Sequence, residues 1–396
     1  LGKVELKDGV YWVGAVDWNV RDFHGYTTPR GTSYNAYLVV DEKVALVDTV
    51  KPHFAEDMLE RISEIVNPKD VDYVISNHVE KDHSGSIKEV MRLAKNAKVV
   101  ATERGKAGLT RYYKGNWPFI TVKTGDRIKL GEKILEFIET PMLHWPDSMF
   151  TYVRKDRLLL PNDAFGQHIA ASKRFDDEVE NVMDEAAKYY ANILMPFAPL
   201  ILKKIQEIQT MELAIDMIGP RHGVIWRSEP EKIIEAYVKW SKGVAKQKAL
   251  IIYDTMWGST EMIAKAILKG IINEGVEAKL FRLRNSDQTE ILKEILDAKA
   301  VLVGSPTLNN GMFPSVSGFL TYMKGLRPKG KIGAAFGSYG WGKGAVKAVK
   351  EELEKTGVKM LEADLEFQYV PDEDEIKRCI QFGKELTGKI REEVYP

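Results

Sequence analysis

Polar and hydrophobic positions alternate through the first ~50 residues as they do in strands. Val10-Tyr11-Trp12-Val13-Gly14 predicts one, and Asn35 to Val40, a turn at Asp41-Glu42-Lys43 and Val44 to Asp48 predict a β-hairpin. A helix-period stretch follows from Phe54 to Val66, then a buried-type run from Val71 to Ser76 that ends in polar residues. Ile120 to Leu160 returns to short strands, Asp176 to Ile218 reads as a long helical region, and Pro230 opens an amphipathic helix to Lys242. From Ala249 onward the pattern becomes a regular alternation. Strands are predicted at Ala249–Asp254, Ala278–Arg282, Ala300–Gly304, Ile332–Phe336 and Met360–Phe367, each followed by an amphipathic helix. Five such βα units describe a small doubly wound parallel sheet. The change of character puts a domain boundary near residue 247, giving domains 1–247 and 248–396 in an α/β chain. No repeat period of a solenoid is present.

Composition narrows the function classes. The 57 Lys and Arg equal the 57 Asp and Glu, so nothing in the net charge favours nucleic acid or an anionic membrane as partner. The longest greasy stretch, Ala191 to Leu202, is too short to span a bilayer and is broken by Pro196 and Pro199. Lys3, Glu5, Lys7 and Asp8 leave no room for a signal-peptide core. The single cysteine, Cys379, excludes an internal disulfide, a Cys-x-x-Cys redox pair and a Cys-ligated iron–sulfur or rubredoxin-type iron site, and points to a reducing cytoplasm. Its neighbours on a C-terminal helix suggest a packing role.

The sharpest local feature is Asn77-His78-Val79-Glu80-Lys81-Asp82-His83-Ser84-Gly85, which sets four potential metal ligands in six positions directly after a buried strand. Farther along lie His144 in Leu-His-Trp-Pro-Asp, Asp163 in Pro-Asn-Asp-Ala-Phe-Gly and His222 in Pro-Arg-His-Gly. A lone loop histidine is more often a surface or packed residue. Together, though, these positions supply four His and three carboxylates, enough for two metals sharing a carboxylate, and imidazole with hard oxygen and no thiolate suits iron or manganese at least as well as zinc.

In the second domain, Thr255-Met256-Trp257-Gly258-Ser259-Thr260 joins the first strand to a helix. It is a hydroxyl-rich phosphate loop, lacking both Gly-x-Gly-x-x-Gly and Gly-Lys-Ser/Thr. Ordinary N-capping accounts for one of its three hydroxyls. Two more loops lie at carboxyl ends of strands, where ligands of this fold bind: Ser305-Pro306-Thr307-Leu308-Asn309-Asn310-Gly311 and Gly337-Ser338-Tyr339-Gly340-Trp341-Gly342. Tyr339 and Trp341 can stack on a flat ring. The pattern is similar to flavodoxin, and the three loops together point to FMN.

The order strand, His-x-Glu-x-Asp-His, then His, Asp and His at intervals of 61, 19 and 59 residues resembles the metallo-β-lactamase-like fold in its flavodiiron variant. Zinc hydrolases of that fold carry His where this chain has Glu80. The resemblance covers essentially the whole chain and implies an N-terminal αβ/βα sandwich fused to a flavodoxin-like five-stranded parallel sheet. It implies two irons, one held by His78, Glu80 and His144, the other by Asp82, His83 and His222, with Asp163 bridging. It further implies that FMN passes electrons from an external donor, usually rubredoxin, to the irons, which reduce O2 to water or NO to N2O. A head-to-tail homodimer, or a dimer of such dimers, goes with it. For His24 and Tyr26 the resemblance suggests a place lining the substrate pocket, while the bland reading leaves them loop residues without catalytic weight. His168 reads as structural or as a support to the ligands, and His53, beside Pro52, as structural. Two other functions fit parts of the chain: a metallo-hydrolase, which leaves the flavin domain without a purpose, and a plain electron carrier, which leaves the ligand positions without one.

Overall fold

The computed structural model describes residues 2–394. The chain divides into two compact units, Leu1–Tyr189 with Pro199–Val238, and Tyr190–Ala198 with Lys239–Pro396.

In the first unit a seven-stranded sheet runs in the order Val4–Lys7, Val10–Trp12, Tyr37–Val40, Val44–Val47, Val71–Ile75, Lys98–Ala101, Phe119–Thr121. The expected hairpin pairs Tyr37 with Val47 and Val40 with Val44. Beyond it the pairing turns parallel, so each crossover needs a connecting segment. Helices α1 (Ala55–Ser63), α2 (Lys81–Ser84), α3 (Ile87–Leu93) and α4 (Glu103–Tyr113) occupy those connections. The two-residue period sorts the strands: Leu38, Leu46, Val74 and Val99 pack with Met58, Ile62, Ile87 and Leu109 of the helices. Their neighbours Val39, Ala45, Val47, Ile75 and Val100 pack with Leu135, Phe137, Met149 and Leu160 of a second sheet. That sheet orders Arg127–Lys129, Ile134–Glu139, Met149–Val153, Leu158–Leu160 and Met217–Ile218. The result is two sheets face to face with helices outside.

The region from Asp176 to Ile218 differs from the single helical stretch expected. It holds α5 (Val182–Tyr189), a π-helical turn Tyr190–Leu194, a 3-10 turn Met195–Phe197, α6 (Ala198–Thr210) and the strand Met217–Ile218. Pro196 and Pro199 account for the break, since each lacks the N–H that a continuous helix would donate to the preceding turn. The boundary expected near residue 247 also reads differently in the structure. The helix α7 (Pro230–Ser241) crosses the division, and residues 190–198 join the second unit, where the Asn192 amide donates to Thr289 O (3.0 Å) and accepts from the Tyr322 hydroxyl (2.8 Å).

The second unit is built on a parallel sheet ordered Glu277–Arg282, Lys246–Tyr253, Ala298–Pro306, Ile332–Tyr339, Lys359–Met360. The last strand, expected as Met360–Phe367, is two short pieces, Lys359–Met360 and Glu366–Gln368, which share the fifth place beside Ile332–Tyr339. Leu250, Ile251, Ile252, Val301, Leu302 and Val303 are all fully buried, as strands covered on both faces must be. The covering helices are α8 (Ser259–Asn273), α9 (Gln288–Asp297), α10 (Pro314–Leu326), α11 (Ala345–Thr356) and α12 (Glu373–Val394). Gly270 of α8 meets Gly383 of α12 so closely that a Cβ on Gly270 would lie 2.1 Å from Ile380 O. Cys379 sits in that core with its thiol pushed up to about 12 by burial, in keeping with packing.

Candidate metal centre and flavin cleft

The seven ligand candidates come from loops that follow strands of the first unit. His78 to His83 leave Val71–Ile75 and enter α2; His144 lies between Ile134–Glu139 and Met149–Val153; Asp163 follows Leu158–Leu160; His222 follows Met217–Ile218. The fold brings them to one place. His78 Nε2 lies 3.3 Å from Glu80 Oε2, and His144 Nε2 lies 3.7 Å from the same oxygen and 3.4 Å from Asp163 Oδ2. On the other side Asp163 Oδ1 is 3.2 Å from His83 Nε2 and 3.6 Å from His222 Nε2, while Asp82 Oδ2 is 3.1 Å from His222 Nε2 and 3.8 Å from His83 Nε2. Asp163 therefore presents one oxygen to each group. Within each of the sets His78, His144, Asp163 and Asp82, His83, His222, ligand atoms lie within 4.8 Å of one another.

These separations suit a metal. Two ligand atoms each ~2.1 Å from one ion stand roughly 3.0–3.4 Å apart at right or tetrahedral angles. Asp82 Oδ1 is buried without a hydrogen-bond partner, a cost that a cation removes. Two of the histidines have their outer nitrogens anchored so that Nε2 faces inward: His78 Nδ1 is 3.0 Å from Asp147 Oδ2, and His222 Nδ1 donates to Ser33 O at 2.8 Å. The electrostatics also ask for positive charge. Burial opposes ionisation of Asp82 and Asp163, but the surrounding imidazoles outweigh it and hold both carboxyls well below the usual range. Burial disfavours protonated His83, yet Asp163 and Asp82 push it up to about 9.

Around this centre stand residues whose sequence neighbourhoods carry no ligand signal. The Tyr189 hydroxyl donates to Asp163 Oδ1 (2.9 Å), and Asp147 Oδ2 takes the Val79 amide (2.8 Å) as well as His78. Asp147 was visible only as the end of Leu-His-Trp-Pro-Asp. Tyr189 could not be found by spacing, because it arrives from α5. His24 is exposed and places Nε2 3.5 Å from Glu80 Oε1, at the rim of the cluster. Tyr26 is buried with its ring 5.0 Å from that of His168, whose ring is 4.9 Å from that of His222. His168 Nδ1 pairs with Thr32 Oγ1 at 2.8 Å, and its pKa is driven well down by burial and by His222, which makes it a neutral packing partner. His53 rests on Phe54, ring to ring at 4.3 Å.

In the second unit the three loops surround a cavity of about 640 Å³ at the carboxyl edge of the sheet. Thr255, Met256, Trp257 and Ser259 line it, as do Pro306 to Asn310 and Ser338 to Gly342. Tyr369 and Val370 line it too, a contribution the sequence reading lacked. Four expected residues stand behind the lining. Thr260 is buried against Ser338 (Oγ1 to Oγ, 2.9 Å), Ser305 Oγ accepts the Phe313 amide (2.8 Å), Gly337 is strand backbone, and Gly258 caps α8. Gly258 has φ 97°, open to glycine at little cost, and its amide donates to Thr255 Oγ1 (3.0 Å). The first turn of α8 then leaves the amides of Ser259, Thr260 and Glu261 outside the helical ladder, aimed where a phosphate binds. Trp257 and Trp341 are 96% and 94% exposed, available to stack on a planar ring. These features fit FMN.

Comparison with known proteins identifies the family of each unit. Residues 32–223 match the ODP family beta lactamase, and residues 251–383 match flavodoxin. The chain is 52% identical over 98% of its length to the nitric oxide reductase of Moorella thermoacetica, of which it covers 98%. The rubredoxin oxygen:oxidoreductase of Desulfovibrio gigas superposes with a TM-score of 0.97 at 38% identity, each chain fully covered. The flavodiiron protein of Giardia intestinalis superposes with a TM-score of 0.96 at 36% identity, covering 100% of this chain and 98% of that one. With a histidine-carboxylate pair of metal pockets on one unit and a flavin cleft on the other, the chain belongs to the flavodiiron protein family.

Proposed function

We propose that this protein is an oxidoreductase that reduces O2 to water or NO to N2O, with electrons entering through FMN and substrate meeting a diiron centre. The observation that carries it is Asp163, one carboxylate with an oxygen toward each of two ligand sets, in the same chain as a complete flavin cleft. When bound, FMN would supply up to two electrons and the iron pair up to two more, which matches the four that O2 needs and exceeds the two that a pair of NO molecules needs.

The chain's own residues do the rest. His78, Glu80 and His144 would hold one iron, Asp82, His83 and His222 the other, and Asp163 both. Tyr189 fixes the bridging carboxylate through its hydroxyl. Phe23, 5.7 Å ring to ring from His222, walls the site against water together with Tyr26. His24, exposed and within 3.5 Å of Glu80, stands between solvent and the carboxylates, where its Nε2 can pass on the protons that either reduction consumes. Thr255 to Thr260 would take the FMN phosphate, and the Tyr339 and Trp341 loop the ring.

No helix among the described residues is long and apolar enough to cross a membrane. For the source of reducing equivalents a rubredoxin-like donor in the cytoplasm is the reading we adopt, together with a head-to-tail homodimer that sets the FMN of one subunit beside the irons of the other. Metal analysis, a visible spectrum and steady-state turnover of O2 and NO under one donor test the proposal together. About two irons and one FMN per chain with turnover of either gas are expected. Zinc with hydrolytic activity would mark a hydrolase, and flavin without iron a plain carrier.

A further inference from the structure

Cations are distributed unevenly over a chain whose formal charge is zero. Between residues 81 and 114 there are nine Lys and Arg against three Asp and Glu, and one of those acids, Asp82, is buried in the metal centre. All nine cations are exposed, and among the described residues none of them forms an ion pair. Elsewhere exposed cations are found in ion pairs, as Lys350 is with Glu362 and Arg378 with Asp364.

Contacts tie a large part of this set into one surface. Lys81 Nζ, on α2, lies 5.5 Å from the centre of the Tyr112 ring, and Lys88 Nζ, on α3, lies 5.7 Å from that of Tyr113. Both tyrosines end α4, where Ser84 Oγ meets the Tyr113 hydroxyl at 2.8 Å. Arg92 continues the α3 face one turn on from Lys88, and Arg104 continues the α4 stripe two turns before Arg111. Ala107 and Thr110, both short, leave a shallow groove beside Arg111 and Lys114. The helix macrodipole accounts for a cation or two at the end of α4 but not for those on α2 and α3.

We infer that the face formed by α2, α3 and α4 is the docking surface for an acidic, small electron-carrier protein that reduces this enzyme. The inference rests on the reductase reading above, in which electrons arrive from outside. Arg104, in the first turn of α4, and Lys114, its C-cap, are ten residues and about 15 Å apart, so the surface is too broad for a small anion and suits the face of a folded partner. A zero net charge gives little long-range pull on a polynucleotide, whereas a local field orients an acidic protein at encounter. Tyr112, 43% exposed among these cations, supplies the aromatic contact that protein interfaces favour. Lys81 lies between Glu80 and Asp82, so the surface begins at the metal centre, beside which the proposed head-to-tail dimer sets the partner's flavin.

The test uses the full-length holoenzyme, reduced rubredoxin as the acidic probe, and photoreduced 5-deazariboflavin as a neutral reductant. Stopped-flow flavin reduction by rubredoxin should slow by at least about tenfold as salt rises from roughly 20 to 300 mM. The combined substitution Lys88→Glu, Arg92→Glu, Arg104→Glu and Arg111→Glu should slow it by a similar factor at low salt and flatten the salt dependence, with reduction by deazariboflavin unchanged. Should that variant misfold, Lys88→Gln with Arg111→Gln should still lower the rate about threefold, and the salt series on the unaltered enzyme needs no variant. A rate indifferent to salt and to the reversals overturns the inference, as does an equal loss with deazariboflavin. It is also overturned if the reversals break the homodimer, which makes the face a subunit contact, or if they abolish tight binding of a single-stranded RNA at physiological salt, which makes it a polynucleotide face. A holoenzyme that takes electrons from deazariboflavin yet turns over neither gas removes the reductase reading instead.

Discussion

The metal centre and the flavin cleft solve opposite problems. The first gathers charged side chains from four loops and buries most of them, with Asp82, Asp163, His78, His83 and His222 each 4% exposed or less. The second is lined by sixteen residues without a charged side chain among them, and offers backbone amides, hydroxyls and rings. Burying like carboxylates in a medium of low dielectric is costly unless cations are present. The metal unit therefore depends on its ions in a way that the flavin unit does not depend on its cofactor. Proteins with this pairing keep one site that is incomplete without its ligand and another that stands open for it.

Breaking the bridge tests this most severely. Asp163→Ala removes the carboxylate that the two ligand sets share, and iron content should fall from about two per chain to below one, with turnover of O2 and NO lowered by ~100-fold or more. FMN should remain bound at one per chain, read from its absorbance. Normal iron content in this variant would dissolve the contrast between the sites.

A subtler change targets the choice of metal. Glu80 places a hard anion 3.3 Å from His78 Nε2 and 3.7 Å from His144 Nε2, which as an iron ligand would favour the ferric state and would distinguish the centre from imidazole-rich zinc sites. Glu80→His, expressed with iron and zinc both supplied, should gain zinc and lose roughly tenfold or more in gas reduction, while flavin reduction by the donor proceeds at its usual rate. Electrons would then stop at the flavin. Unchanged iron loading and turnover would show that this carboxylate does not select the metal.

How much of each site was legible in the sequence follows from the same contrast. The ligands in Asn77 to Gly85 stand out because a short segment crowds His and carboxylate after a buried strand, and the three flavin loops because Gly, hydroxyl and aromatic residues recur at strand ends. Residues that support a site from a distance leave no such mark. Tyr189 reaches Asp163 from a helix 26 positions on. Tyr369 closes the flavin cleft from beyond a strand that the hydrophobic pattern drew as one piece and the backbone splits in two. The helical reading of residues 176–218 failed where Pro196 and Pro199 interrupt a continuous hydrophobic period, since periodicity records which face is buried and not whether the N–H ladder continues.

The break in that helix yields a prediction of intermediate size. Asn192, in the segment that packs with the flavin unit, serves Thr289 O and the Tyr322 hydroxyl at once. Asn192→Ala leaves both without this partner inside the protein and should cost about 1–3 kcal/mol in the unfolding of the flavin unit. Urea titration followed by flavin release measures it, and the metal unit, followed by iron release, should be unmoved. Equal destabilisation of both would mean that they unfold as one.

The smallest effect comes from the flavin unit's own buried charge, which lies at the end of the sheet opposite its ligand. Lys331 immediately precedes the strand Ile332–Tyr339, is 3% exposed, and donates Nζ to Leu296 O (3.0 Å) and Ala298 O (2.7 Å). Burial pushes its pKa down to about 7 from an ordinary 10.5, with Lys299 and Lys248 nearby adding to the shift and Asp297 opposing it. Between those two values the unfolded chain holds a proton at this residue that the folded chain has released. Stability therefore rises with pH across that window, by roughly 2 kcal/mol from pH 7 to 9 for this group alone. In Lys331→Met that share of the rise should vanish: the variant should gain on the unaltered protein below pH 7, where the lysine must carry its charge in the interior, and lose the advantage towards pH 9. Parallel urea titrations of both proteins at pH 6, 7, 8 and 9 read the difference directly. Curves that stay a constant distance apart over that range would mean that Lys331 remains charged when folded, and that the flavin unit, like the metal unit, holds a buried charge it has found a way to compensate.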